Sequence, residues 1–224
     1  MNITIYGDSI LKGILLENGR YIINREWEKR FTDRYGIRLT NRSRFGCTIC
    51  KGIGMIRNDS NKSFEEDELA ILEFGGNDCD YDWAQVSGDP NGVYECNTPP
   101  ERFKAMYREA IRLVRESGRE PVLVTLPPIH SGRYLRFICR DGLSRENIVS
   151  WLGDVEAIYR WQKNYSDMAA ALAAEECTGL IDLRAAFDAD ERRSEELLCA
   201  DGIHPSRNGQ ALIYETLCAQ VAYA

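Results

Sequence analysis

The sequence predicts an α/β fold built on a mostly parallel sheet of five strands, and three observations predict it. Short β-branched or continuously apolar runs are bounded by turn residues. Segments with apolar residues three and four apart lie between those runs. The residues best suited to chemistry directly follow the runs, as ligand-binding residues do at the carboxyl ends of parallel strands. Strands alternating with helices imply right-handed crossovers and a sheet covered on both faces. The 224 residues, 44% of them hydrophobic, suffice for one domain spanning 1–224.

The first run, Ile3 to Tyr6, climbs to Gly7-Asp8-Ser9. A serine at that point ordinarily caps the next helix by accepting a backbone N–H. Further strands are expected at Ile37 to Thr40, Leu69 to Phe74, Val122 to Leu126 and, short and weak, Leu180 to Leu183. The clearest helix carries Phe103, Met106, Tyr107, Ala110, Leu113 and Val114 on one face. Its start, Thr98-Pro-Pro-Glu101, has capping-box spacing with proline in the first turn, and Gly118 marks its end. A second helix is expected from about Asp154 to Glu176, where alanines raise the intrinsic propensity. A last one follows Ser206 and is expected to bury Ala211, Tyr214, Leu217, Cys218 and Val221. The least regular stretches are Asp80 to Pro100 and Pro127 to Leu152. The second mixes Tyr134, Phe137 and Trp151 with Arg133, Arg136 and Arg140, a composition suited to a substrate wall or to plain packing over the sheet edge.

A formal net charge of -7 disfavours nucleic acid and anionic membrane surfaces, although basic residues gather locally around Arg42 and Arg44. No stretch approaches the roughly 18 apolar residues needed to span a bilayer, and no signal-peptide pattern opens the chain, so the expected address is the cytoplasm. The eight cysteines are scattered through hydrophobic segments and read as reduced thiols. Cys47 and Cys50 have C-x-x-C spacing, but no second pair or paired histidine follows, which favours packing over metal or redox work. Asp78, Asp80 and Asp82 alternate as in a calcium loop. Trp83 and Asp89, however, stand where that loop needs Gly and Glu.

The residues just after the strands suit nucleophilic acyl transfer. A serine hydroxyl becomes a nucleophile when an imidazole takes its proton, and the imidazole needs an acid to fix its tautomer. Ser9, His204 and Asp201 supply those groups, and the Asp201-x-x-His204 spacing lets the carboxylate fold back on the ring. Donors for a developing oxyanion are available from the Ser9 N–H, the Asn77 amide and the backbone at Gly46. His130, the other histidine, ends a strand and could contact substrate or sit in a satisfied hydrogen bond. Asp8 and Asp78 flank the same loops and are further candidates for substrate contact. Asn77 and Asp78 could equally form an ordinary Asx turn.

The blocks Gly7-Asp8-Ser9, Gly46, Gly75-x-Asn77-Asp78 and Asp201-x-x-His204-Pro205, in that order along the chain, resemble the SGNH family, also called GDSL hydrolases. The resemblance implies a flavodoxin-like α/β/α sandwich and an esterase working without metal or organic cofactor. It also implies Ser9 as nucleophile, Gly46 and Asn77 as oxyanion donors with the Ser9 N–H, and His204 as base oriented by Asp201. Ile10 stands where the family's first block often has Leu. The Gly-x-Ser-x-Gly elbow of the other large esterase class is absent. The family's habits favour small-molecule esters with short acyl groups such as acetyl. The alternatives are longer acyl chains, handled as by a thioesterase or lysophospholipase and accommodated by the aromatic stretch around Phe137 and Trp151, or ligand binding without chemistry. The oligomeric state is not legible.

Overall fold

Period-two alternation assigns each strand residue to one of two cores. Along the first strand, Ile3 and Ile5 enter one apolar cluster while Tyr6 enters the other. Along the third, Ala70, Leu72 and Phe74 face the second cluster and Ile71 the first. Strands buried on both faces need helices on both faces, and that is the architecture of the computed structural model, which describes residues 2–59, 68–191 and 193–221.

The first part of the chain forms β1 (Asn2–Gly7), a hairpin of β2 (Ile14–Glu17) and β3 (Arg20–Ile23), α1 (Glu26–Tyr35), β4 (Arg38–Asn41), α2 (Ile49–Asp59) and β5 (Glu68–Glu73). The middle forms α3 (Trp83–Gly88), α4 (Pro100–Glu116), β6 (Glu120–Val124), α5 (Ser131–Ile138), a 3-10 turn over Cys139–Asp141, and α6 (Arg145–Leu152). The rest is α7 (Ala157–Glu175), β7 (Gly179–Ile181), α8 (Leu183–Ala189), α9 (Arg193–Leu197) and α10 (Arg207–Val221). The main sheet has the order β4-β1-β5-β6-β7, and its pairings among the described residues are all parallel. This is the doubly wound order of the flavodoxin type, with a switch point beside β1. Helices α2, α4 and α7 cover one face; α1, α8, α9 and α10 cover the other.

A third cluster, built from Trp83, Ile129, Leu135, Ile148 and Ile158, packs the two irregular stretches together as short helices. No helix among the described residues is long and apolar enough to cross a membrane.

Several local expectations need correction. Thr98 does not cap α4: the helix starts one residue later than the capping-box spacing requires, so Pro99, which has no side-chain acceptor, is the N-cap residue, while the Thr98 backbone joins other loops, its N–H on the Asp78 carbonyl and its carbonyl on the Tyr165 hydroxyl. Helix α7 starts at Ala157 rather than Asp154, whose carboxylate instead accepts the Ala157 N–H. In α10 the buried apolar side chains are Leu212, Ile213, Leu217 and Cys218, with Ala211 and Tyr214 partly exposed; the Val221 side chain lies outside the described residues. Leu183 opens α8 instead of ending a strand, since Asp182 caps that helix through the Ala185 N–H.

The largest departure is at Ser9, which starts no regular helix. Residues 9–12 make a single turn closed by a Schellman pair: the Gly13 N–H bonds to the Ile10 carbonyl at 3.1 Å and the Ile14 N–H to the Ser9 carbonyl at 3.0 Å. Gly13 takes φ +77°, and a Cβ there would lie 2.3 Å from the Asn24 carbonyl oxygen. The chain then leaves directly into the β2–β3 hairpin. Gly13→Ala should therefore cost at least about 1–2 kcal/mol of stability, read as a lower urea midpoint, and should displace the Ser9 turn enough to lower activity in the refolded protein.

Candidate active site

Three loops at the carboxyl edge of the sheet supply the polar groups. Ser9 lies in the turn after β1, Asn77 in the loop after β5, and Asp201 and His204 in the loop before α10. Ser9 Oγ is 2.9 Å from His204 Nε2, and His204 Nδ1 is 2.7 Å from Asp201 Oδ2. An ionised carboxylate only accepts, so Nδ1 carries the proton toward Asp201 and Nε2 is left to accept from the Ser9 hydroxyl. All three side chains are buried, with Asp201 fully so.

The Asp201 loop is held from within. Its Oδ1 accepts the N–H groups of Ile203 and His204 at 3.0 and 3.1 Å. The His204 carbonyl accepts the Cys199 N–H, and the Gly202 carbonyl accepts the His130 N–H, both at 2.8 Å. Burial alone would raise the Asp201 pKa, but the bond to His204, its charge and the two backbone N–H groups together hold the carboxyl below its usual value.

Two backbone N–H groups expected to serve an oxyanion, those of Ser9 and Gly46, have no acceptor among the described residues. Gly46 adopts φ +66° and its carbonyl accepts the Lys51 ammonium at 2.9 Å. The Asn77 amide donates one N–H to Asp8 Oδ2 at 2.9 Å, which leaves its second N–H for a ligand. A serine hydroxyl bonded to a His–Asp pair, with the Ser9 N–H and an Asn77 N–H open beside it, has the groups that could form and stabilise a tetrahedral adduct; Gly46 is not among the residues lining the cavity.

Of the candidates for substrate contact, Asp8 lines the cavity, whereas Asp78 and His130 are not among its lining residues, and all three accept hydrogen bonds from the protein itself. Asp8 is buried and engages both oxygens internally, with the Ile10 N–H and the Asn77 amide. Asp78 is fully buried, accepts the Ile49 N–H with both oxygens, and is pushed up to about 6 by burial. His130 caps α5 by accepting the Arg133 N–H on Nδ1 at 3.4 Å, the satisfied alternative, and is not among the residues lining the cavity. The other alternating aspartates are also committed. Asp80 accepts from the Trp83 indole and the Tyr134 hydroxyl, while Asp82 caps α3. Cys47 is buried and Cys50 exposed, and all eight thiols are free.

Tyr21 of β3 is a site residue that hydrophobic periodicity does not reveal. Its hydroxyl donates to Asp201 Oδ2 at 3.4 Å, and its ring meets that of His204 edge-on at 5.1 Å. Phe45 stacks on the His204 ring at 5.8 Å and 18°. The usable signal is Asn18-Gly19 between two apolar runs, a hairpin turn in which both residues take positive φ. That hairpin is fastened to α10, with Asn24 donating to the Gln210 side chain and Gln210 donating to the Ile14 carbonyl.

Ser9, Asn77 and His204 open on a cavity of about 720 Å³. Its walls are mainly aromatic and aliphatic, including Tyr81, Trp83, Trp151, Trp161 and Phe137. The indole N–H groups are tied down: Trp83 to Asp80, Trp151 to the Gly92 carbonyl and Trp161 to the Cys79 carbonyl.

A family model described as GDSL-like Lipase/Acylhydrolase family matches residues 5–212. No curated protein matches the chain. Among solved structures, a lipase/acylhydrolase from Enterococcus faecalis is 19% identical, with a TM-score of 0.62 over 98% of this chain and 94% of that one. A member of the lipolytic G-D-S-L family from Veillonella parvula is 18% identical, with a TM-score of 0.65 over 97% and 96%. An α/β hydrolase from the metagenome of Lake Arreo, Spain, is 20% identical, with a TM-score of 0.65 over 97% and 93%. At these identities the structures share the fold.

The depressed Asp201 pKa gives stability a pH dependence of definite sign. The contribution is present above the unfolded carboxyl value of about 3.9 and is lost as pH falls through the lower folded value. Thermal unfolding of wild type and Asp201→Asn should differ most above about pH 4, with the gap narrowing at lower pH.

Proposed function

The chain belongs to the GDSL-like lipase/acylhydrolase family, an ester-hydrolysing family, and from that premise we propose that residues 1–224 act as one hydrolase unit that cleaves small-molecule carboxylic esters through an acyl-Ser9 intermediate. The observation that carries this reading is the chain of contacts from Ser9 Oγ through the His204 ring to Asp201, at 2.9 and 2.7 Å.

In this mechanism Ser9 Oγ attacks the acyl carbonyl carbon while His204 Nε2 takes the hydroxyl proton. Asp201 holds the ring in the required tautomer and stabilises it when charged. The negative oxygen of the adduct accepts from the N–H groups of Ser9 and Gly46 and from the free N–H of Asn77. Collapse breaks the bond to the alcohol oxygen, which leaves with the proton from His204. Water then repeats the sequence on the acyl enzyme, delivering its proton to His204 and its oxygen to the released acid.

For the acyl group, the cavity volume of about 720 Å³ and its aromatic walls support a chain well beyond acetyl, in favour of the longer-acyl alternative. An apolar chain gains about 0.8 kcal/mol for each methylene it buries. Specificity should therefore climb with chain length until the cavity is full.

Incubation with a fluorophosphonate should give a single adduct mapping to Ser9 and absent from Ser9→Ala; a folded protein that takes no adduct would refute the nucleophile. Ser9→Ala and His204→Ala should each lower kcat by about 10⁴ or more, and Asn77→Ala by about 10². With p-nitrophenyl esters, kcat/KM should peak at eight carbons or more. The peak should move to shorter chains when Leu152→Phe narrows the cavity that Leu152 lines. A maximum at two carbons would instead favour the short acyl groups.

A further inference from the structure

Behind the nucleophile turn lies a second carboxyl group that the mechanism above does not use. Glu73 ends β5, opposite Gly7 of β1 in the strand register, and is fully buried. Its Oε2 accepts the Asp8 N–H at 3.1 Å, so the Glu73 carboxyl sits against the turn that carries the Asp8 carboxyl. Two neighbouring carboxyl groups buried away from water and without a cation favour keeping a proton on one of them. The Asp8 oxygens already accept N–H groups, from Ile10 at 2.8 Å and from Asn77 at 2.9 Å, as an anion does. Glu73 Oε1 has no donor within hydrogen-bond distance, which suits an oxygen that carries a proton and not one that needs to accept.

We propose that Glu73 is a positioning residue that stays protonated in the native protein and donates to Asp8, so that Asp8 is the one anion of the pair and holds the Asn77 amide in place. This rests on the esterase reading for its catalytic consequence, though not for the protonation itself. The groups around the pair favour one negative charge over two. Asp78 follows on the β5 side, Cys47 comes from the loop before α2, Tyr107 from α4, and His204 faces Asp8 from the loop before α10. No Lys or Arg forms an ion pair with Glu73 or Asp8 among the described residues. Burial first, and the Asp8 charge second, push the Glu73 carboxyl well above its ordinary value.

The resulting pH dependence runs opposite to that of Asp201. Unfolded Glu73 ionises above about pH 4.3, whereas the folded group keeps its proton, so the stability this residue supports is greatest below that value and is lost as pH rises toward the folded value. Glu73→Gln places an amide where the protonated acid stood, able to accept the Asp8 N–H and to donate to Asp8 without a proton to lose.

The test compares wild type, Glu73→Gln and Glu73→Leu. Thermal midpoints should show Glu73→Gln gaining on wild type steadily from pH 4 to pH 8. Infrared spectra at pH 8 should show a protonated-carboxyl stretch in wild type that Glu73→Gln lacks. Glu73→Leu should lower kcat at least tenfold with KM little changed, and Glu73→Gln should restore most of that loss. A midpoint difference that is flat with pH, or no protonated-carboxyl band in wild type at pH 8, would overturn the proposal; the infrared experiment on wild type decides the matter even if a variant fails to fold. Fluorophosphonate labelling of Ser9 in the same samples separates this outcome from failure of the esterase reading.

Discussion

The Asp8 carboxylate fixes the relation between Ser9 and the rest of the site. One oxygen holds the Ile10 N–H and so shapes the turn that presents Ser9; the other holds the Asn77 amide from the neighbouring strand's loop. A buried carboxylate is tolerated only where hydrogen bonds replace water, and here the bonds that satisfy it also set the site. β1 and β5 are adjacent in the sheet, so their two loops emerge side by side at the switch point, and the carboxylate converts that proximity into a fixed distance.

The third loop is brought to the other two by different means. Asp201 and His204 arrive from the far end of the chain, 195 residues after Ser9 in the case of the histidine, and no strand of the main sheet carries them. Their loop is instead pinned by its own carboxylate, by Cys199, and by the His130 N–H from the loop after β6. The β2–β3 hairpin closes the arrangement, because it grows directly out of the Ser9 turn and is bonded to the start of α10. Through Tyr21, the segment beyond Ser9 also covers Asp201, the carboxylate bonded to His204.

Strand positions and the Ser9, Asn77, Asp201 and His204 blocks are legible in the sequence because both depend on local rules: period-two burial for the strands, and short polar runs at strand ends for the site. Residues whose role depends on a distant partner are not. Asp8, Asp78 and His130 are candidates for substrate contact in sequence, since each is polar and adjacent to the chemistry, and no local rule shows the backbone N–H that each one accepts. Glu73 reads as one polar interruption in an apolar strand, and nothing local shows that it meets Asp8. The hairpin is within reach, because Asn18-Gly19 is a strong turn signal; the strand-then-helix rhythm of an alternating fold masks it.

The fastened indoles have a consequence for recognition. With the N–H groups of Trp83, Trp151 and Trp161 each bonded to a protein acceptor, these rings have surrendered their rotational freedom during folding rather than on meeting a ligand. A flexible guest therefore loses its own conformational entropy on entry while the host loses little. Such a wall discriminates by outline: it rewards guests that match a standing shape and adapts poorly to those that do not.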